Sequence, residues 1–237
     1  MGFAGKVVLV AGGTGGLGRA VSLAFLNEDA KLIITYRHDQ EFAHLQSAAG
    51  SSASRIGGRQ VDLTAETAVQ ELIVGIVAEH GRLDVLVNTV GGYTGGKPLW
   101  EIPPRDLDRM LALNLRPGFL LARAAANVMR KQGSGVIVNV ASKAAVDHGA
   151  GAAAYSASKA AALAMIDSLA ADLEGSGVRV NSVLPSIIDT ESNRQAMPRA
   201  DFSKWPKPAD IARVILFLCS DDAKVIHGAA IPVYGSS

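Results

Sequence analysis

Short apolar runs and longer amphipathic stretches alternate along almost the whole chain. The runs, many rich in β-branched residues, lie at Lys6–Val10, Lys31–Thr35, Arg55–Val61, Leu83–Val87, Gly135–Val140, Val178–Leu184 and Ala229–Val233. Most are near-continuous rather than alternating apolar with polar, the pattern of strands covered on both faces. Between them the spacing predicts helices over Gly16–Glu28, Asp39–Ala49, Ala65–His80, Pro104–Lys131, Ala152–Glu174 and Pro208–Ser220. Such alternation implies βαβ units. Right-handed crossovers then leave a Rossmann-like, doubly wound α/β fold, a parallel sheet of about seven strands with helices on both faces.

No linker or repeat divides the chain, so 1–237 reads as one domain. The stretch Gly50–Gly58 reads as a loop between a helix and a strand of the same sheet. The one long irregular region is Pro185–Pro208, with prolines at 185, 198, 206 and 208. It follows the sixth strand, at the carboxyl edge where open α/β sheets bind ligands. A connection of that length inside a domain is usually functional, and a mobile loop that orders over its ligands is expected.

With 49% apolar and 19% charged residues, the composition is that of a globular protein with a sizeable core. A formal charge of +1 offers no footprint for nucleic acid or anionic membrane, and neither is expected as a partner; the expected partner is a small-molecule substrate. No stretch approaches the roughly 18 apolar residues of a membrane span. The first apolar run, Val7–Ala11, breaks on glycines and is too short for a secretory core. Cys219 has no second cysteine to pair with, in keeping with a reducing compartment, and the expectation is a cytoplasmic protein. The scattered histidines show no metal-binding spacing.

The first strand runs into Gly12-Gly13-Thr14-Gly15-Gly16-Leu17-Gly18 and then a helical stretch. Gly13, Gly15 and Gly18 match one dinucleotide fingerprint; Gly12, Gly16 and Gly18 match the related Gly-x-x-x-Gly-x-Gly. Between a strand and a helix, such a loop lets backbone N–H groups approach a pyrophosphate at the helix N-terminus. A plain turn is the alternative. The second strand ends Ile34-Thr35-Tyr36-Arg37, where enzymes that use NAD carry an acid for the ribose 2′-hydroxyl. No acid stands at Tyr36, and Arg37 can clamp a 2′-phosphate bidentately. This favours NADP (NADPH); Asp39 nearby keeps NAD possible.

Tyr155 and Lys159 lie one turn apart on one helix face, with Ser142 thirteen residues upstream of the tyrosine. Reducing a carbonyl needs a proton donor and a stabiliser of the developing oxyanion. Tyr155 can give the proton, and the charge of Lys159 is expected to bring the phenol from near 10 toward working pH. Ser142 can hold the substrate oxygen. Seen singly, Tyr155 and Lys159 also read as a surface pair, Ser142 as a cap and Asn114 as a buried amide.

Together with the glycine loop, Asp62-Leu63, Asn88-Thr89-Val90-Gly91, Asn114, Ser142, Tyr155-Ser156-Ala157-Ser158-Lys159, and Pro185 with Thr190 resemble the short-chain dehydrogenase/reductase family from about residue 5 onward. The resemblance implies a catalytic set of Asn114, Ser142, Tyr155 and Lys159, with Asn114 holding a water near Lys159. It implies that Gly12, Thr14, Gly15, Gly16, Leu17, Gly18 and Arg37 take the adenosine phosphates. Asp62 and Leu63 would hold the adenine, and Asn88, Val90 and Gly91 the adenosine ribose. Tyr155 and Lys159 would also face the cofactor, with Pro185, Ile188 and Thr190 at the nicotinamide end. It implies a homo-oligomer, dimer or tetramer, through Pro104–Lys131 and Ala152–Glu174. Departures are Ala11 for the usual threonine, Thr89 for the second asparagine and Ser186 for a glycine.

Val90–Gly96 (VGGYTGG) and Asp189–Trp205 further resemble dihydropteridine reductases, a branch that usually lacks the serine. Substrate contacts are expected from Tyr93, Trp100, His148, Arg194, Met197, Phe202 and Trp205. The rival class is a silent nucleotide-binding sensor or scaffold.

Overall fold

Every residue of the run Val7–Ala11 is buried, as a central strand flanked by helices on both faces requires. In a computed structural model, which describes residues 2–236, this run is β1. It is followed by β2 (Lys31–Tyr36), β3 (Ile56–Gln60), β4 (Val85–Asn88), β5 (Gly135–Val140), β6 (Val178–Pro185) and β7 (Ala230–Val233). All pair in parallel, in the order β3-β2-β1-β4-β5-β6-β7. The order reverses between β1 and β4, so the crevice at their carboxyl ends is the ligand position of the fold.

The helices are α1 (Gly16–Asn27), α2 (Asp39–Ala49), α3 (Glu66–His80), α4 (Pro104–Asn114), α5 (Arg116–Gln132), α6 (Ala153–Asp172), α7 (Glu191–Ala196) and α8 (Pro208–Cys219). Helices α1 and α8 cover one sheet face, packing Val21, Phe25 and Ile215 on Val8, Val10 and Val138. Helices α3, α5 and α6 cover the other, packing Ile73, Leu121 and Ile166 on Leu9, Leu86 and Ile137. Phe25 is fully buried and meets Phe3 edge to face at 5.0 Å. Truncating such a ring to alanine costs about 3–5 kcal/mol. Among the described residues no helix is long and apolar enough to cross a membrane.

Three expectations are corrected. The single helix expected over Pro104–Lys131 is two, parted at Leu115. Pro117 has no N–H to give the carbonyl four residues back, Leu113 O, so the helix breaks directly after Asn114. The expected loop Gly50–Gly58 is a 3-10 turn, Gly50–Arg55, running into β3, which includes Gly57 and Gly58. The Phe42 ring lies against Gly58, where a Cβ would be 2.5 Å from it. Pro185–Pro208 is not irregular throughout. Thr190 accepts from Asn193 N at 3.2 Å and caps α7, and Phe202–Lys204 form a further turn.

Candidate active site

The glycine loop is shaped by contacts that leave no room for side chains. Gly12 has φ +74°. A Cβ on Gly18 would lie 2.0 Å from Gly12 O, and one on Gly13 would lie 2.6 Å from Ile34. The loop is pinned to β2 by Gly12 N on Thr35 Oγ1 at 3.0 Å and by Gly13 N on Thr35 O at 3.1 Å. Where the family pattern places threonine at Ala11, Thr89 from β4 closes the loop instead, donating to Ala11 O at 2.7 Å. No side chain caps α1, and its first turn carries no acid. Its opening N–H groups and positive dipole end suit an anion, and the cradle fits a dinucleotide pyrophosphate formed by Gly15, Gly16, Leu17 and Gly18.

Along the same edge, Arg37 is exposed and its backbone carbonyl accepts from Gln60 at 2.8 Å. Tyr36 stacks on Phe42 at 4.7 Å; burial first, then nearby Asp39, holds its phenol above its ordinary value. Asp62 takes the N–H and hydroxyl of Thr64, bonds that hold its carboxyl below the usual range, and Leu63 is buried beside it. Asn88 donates to Asn139 at 2.9 Å and accepts from Val90 N at 3.2 Å, which sets the turn leaving β4.

That turn carries Gly91 and Gly92 to the chemistry. Asn114 grips Gly92 at both ends, its Oδ1 accepting from Gly92 N at 2.8 Å and its Nδ2 donating to Gly92 O at 3.0 Å. The same Nδ2 reaches Ser158 at 3.0 Å. Lys159 is fully buried and donates to Val140 O at 3.2 Å. A Cβ on Gly91 would lie 2.9 Å from Lys159 Nζ and 3.0 Å from Asn114 Oδ1, so amine and amide converge on a bare glycine. Burial draws the Lys159 ammonium down to about 8.

Ser142 follows β5 with extended backbone and holds Ala144 N at 3.1 Å. Tyr155, in the first turn of α6, has Ser142 as the neighbour that favours its ionised form. The expectation that Lys159 draws the phenol downward is not met. Burial raises Tyr155 above its ordinary value, Ser142 only partly offsets this, and Tyr93 adds to the rise. The Lys159 amine gives one hydrogen bond to Val140 O and contributes nothing to the position of the phenol.

The residues expected at the substrate and at the nicotinamide end divide in two. Tyr93 stands against Tyr155 with ring centroids 5.0 Å apart. Thr190 faces the glycine loop, its Cγ2 being 2.7 Å from where a Gly16 Cβ would sit. Pro185 ends β6, Ile188 is half-buried, and Ser186 donates to Tyr234 O at 2.7 Å, which ties the start of the loop to the carboxyl-terminal strand. Trp205 is 7% exposed and packs on Phe202 at 5.0 Å, so it anchors the loop rather than lining an open surface. Arg194 is paired with Asp189 at 2.5 Å and 2.8 Å and lies 4.8 Å over Phe202. Met197 is half-buried, His148 is exposed beyond the Lys143–Ala145 turn, and Trp100 is 84% exposed on the Leu99–Glu101 turn. Sequence reasoning missed Glu41, which accepts from Thr14 at 2.9 Å; nothing in the local pattern joins residues 27 apart.

Two clefts lie away from this chemistry. One, of about 720 Å³, opens at the amino ends of the strands near Asp84, Arg179 and Lys224. The other, of about 500 Å³, lies between α5 and α6. The converging polar groups, not the volume, locate the site.

The short chain dehydrogenase family profile matches residues 6–201. Among curated proteins, the chain is 31% identical to the 3-oxoacyl-[acyl-carrier-protein] reductase FabG of Thermotoga maritima, over 98% of this chain and 97% of that protein. It is 34% identical to the D-threitol dehydrogenase of Mycolicibacterium smegmatis, over 98% and 92% of the two. Among solved structures, ElxO with NADP bound superposes with a TM-score of 0.91 at 29% identity, covering 97% of each chain. NAD+-bound xylitol dehydrogenase gives 0.90 at 26% identity, covering 98% of this chain and 99% of its own.

Proposed function

The chain belongs to the short-chain dehydrogenase family of NAD(P)-dependent oxidoreductases, and from that premise we propose that one domain spanning 1–237 interconverts a carbonyl, or conjugated imine, and its reduced form, with Tyr155 as general acid and base. The observation that carries this reading is the placement of Ser142 beside Tyr155, one helical turn from the buried Lys159. The nicotinamide supplies or accepts the hydride when bound. In reduction, Tyr155 gives its proton to the substrate oxygen or nitrogen, and a phenol raised by burial is protonated at neutral pH for that task. Ser142 donates to the same atom and fixes its position. The Lys159 ammonium takes the nicotinamide ribose, and Asn114 holds the Gly91–Gly92 turn against which that amine rests. Pro185, Ile188 and Thr190 flank the nicotinamide end.

Arg37, exposed beside a β2 terminus without an acid, supports NADP(H) as the preferred cofactor, with NAD(H) accepted. Solved relatives with NADP and with NAD+ are both similar to this chain. A silent nucleotide sensor would keep the glycine loop and have no use for Ser142, Tyr155 and Lys159 held together. Relatives named for a 3-oxoacyl thioester and for threitol favour a secondary alcohol and its ketone as the substrate pair. A pterin is the second reading; the VGGYTGG segment, which sets the Tyr93 ring beside Tyr155, supports a flat substrate. Helices α5 and α6, with Phe119 47% exposed beside Met165 and Leu169, are the face through which the chain would form a homo-oligomer, in the cytoplasm.

The test is a panel of ketones, 3-oxoacyl thioesters, quinones and quinonoid dihydropterins with NADPH and NADH, followed by loss of the reduced nicotinamide absorbance. Turnover of a ketone, fastest with NADPH, is expected. A protein that binds both cofactors and turns over nothing belongs to the sensor class.

A further inference from the structure

Glu41 stands in the first turn of α2, yet its side chain reaches the glycine loop, where Oε2 accepts from Thr14 Oγ1 at 2.9 Å. Thr14 sits between Gly13, tied to Thr35 O at 3.1 Å, and Gly15, which precedes the first turn of α1. The groove between this loop and the end of β2 is the path by which the adenosine half of a dinucleotide leaves its pyrophosphate. The acid that reads an adenosine ribose ordinarily stands at the end of that strand. In this chain the strand ends in Tyr36, which is stacked on Phe42 and carries no acid. Glu41 keeps its second oxygen, Oε1, without a hydrogen bond among the described residues.

A purely structural role does not account for this arrangement. An acid in the first turn of a helix favours the macrodipole wherever its side chain points, and Asp39 already supplies one in α2. An exposed hydrogen bond across the loop adds little to stability. What the contact does is hold a carboxylate at the mouth of the phosphate loop, on the edge that also carries the exposed Arg37.

We propose that Glu41 is a cofactor-specificity residue: its carboxylate accepts a hydroxyl of the adenosine ribose and opposes a 2′-phosphate, so that it acts against Arg37 and narrows the preference for NADP(H) over NAD(H). The inference rests on the dinucleotide reading of the glycine loop. It makes the preference a balance of one cation and one anion on a shared groove, not the property of Arg37 alone. Removing the anion therefore moves the two cofactors apart.

The test is calorimetric binding, without turnover, of NADPH, NADH, adenosine 2′,5′-bisphosphate and adenosine 5′-monophosphate to wild type, Glu41→Gln and Arg37→Ala. Glutamine keeps the volume and still accepts from Thr14, so folding is preserved. Glu41→Gln is expected to tighten NADPH and the bisphosphate about tenfold, and to weaken NADH and the monophosphate about threefold as their ribose hydroxyl loses its acceptor. Arg37→Ala is expected to do the reverse to NADPH. A Glu41→Gln protein that binds both classes of ligand as wild type does, or shifts both alike, overturns the proposal. Wild type that binds neither NADPH nor NADH overturns the dinucleotide reading along with it, and the two failures are told apart by that column alone.

Discussion

The ring of Tyr93 meets the ring of Tyr155 edge to face, with planes at 75° and centroids 5.0 Å apart. Tyr93 is nevertheless 64% exposed, so one side braces the proposed proton donor and the other faces the space a substrate would enter. An aromatic contact of this kind contributes about 0.5–1.5 kcal/mol beyond area burial. Tyr93→Ala should therefore raise KM for a cyclic ketone roughly 3–10-fold, while Tyr93→Phe stays near wild type. Steady-state kinetics on the two variants checks this; equal losses in both would move the effect from the ring to the hydroxyl.

Ser142 accepts from Ala144 N at 3.1 Å and lies close enough to Tyr155 to lower its phenol. Ser142→Ala should lower kcat by a factor on the order of 10²–10³, as loss of one oxyanion donor does. The Tyr155 phenol loses its one downward influence, so its ionisation should move further up. A pH titration of tyrosinate absorbance on the variant reads the second effect independently of the first.

Lys159 titrates at about 8 when folded against 10.5 for the free group, because burial disfavours the ammonium. Between those values the unfolded chain holds one more proton than the folded one, so stability rises with pH across that window. The gain is roughly 3 kcal/mol for the cofactor-free protein. Urea midpoints at pH 7.5 and pH 10 should differ more in wild type than in Lys159→Met, which has no amine to titrate. Cofactor affinity should move the other way, falling above about pH 8 as the ammonium that serves the ribose is lost.

Arg194 holds α7 by pairing with Asp189 and lying over Phe202, which rests on the buried Trp205. Arg194→Ala should speed amide exchange across Glu191–Ala196 and leave the global melting temperature nearly unchanged, since exposed pairs contribute little to stability. Exchange that is no faster than in wild type would show that Thr190 and Asn193 hold this segment by themselves.

The centre of the sheet was legible because β1, β2, β4, β5 and β6 are largely buried on both faces and so read as nearly unbroken apolar runs, whereas the edge strands β3 and β7 are only partly buried. The break after Asn114 was also written, in Pro117, but one proline inside a long periodic stretch is easily passed over. Helix α7 escaped because six residues are too few for a periodicity, although Thr190 is a good cap. Glu41 on Thr14, Trp205 turned inward while Trp100 points out, and a tyrosine raised rather than lowered all depend on tertiary contacts. That Lys159 lies one turn from Tyr155 was readable from the spacing; the burial that raises the phenol was not.

The central assignment is Tyr155 as proton donor and acceptor, and Tyr155→Phe tests it most directly. Phenylalanine keeps the ring that packs on Tyr93 and removes only the hydroxyl. The measurement is kcat on the best ketone of the panel, alongside NADPH affinity and melting temperature for the same protein. The expected result is turnover reduced by at least about 10³-fold with affinity and stability close to wild type. A Tyr155→Phe enzyme that keeps most of its activity would contradict the assignment and place the proton elsewhere, with His148 the first residue to replace.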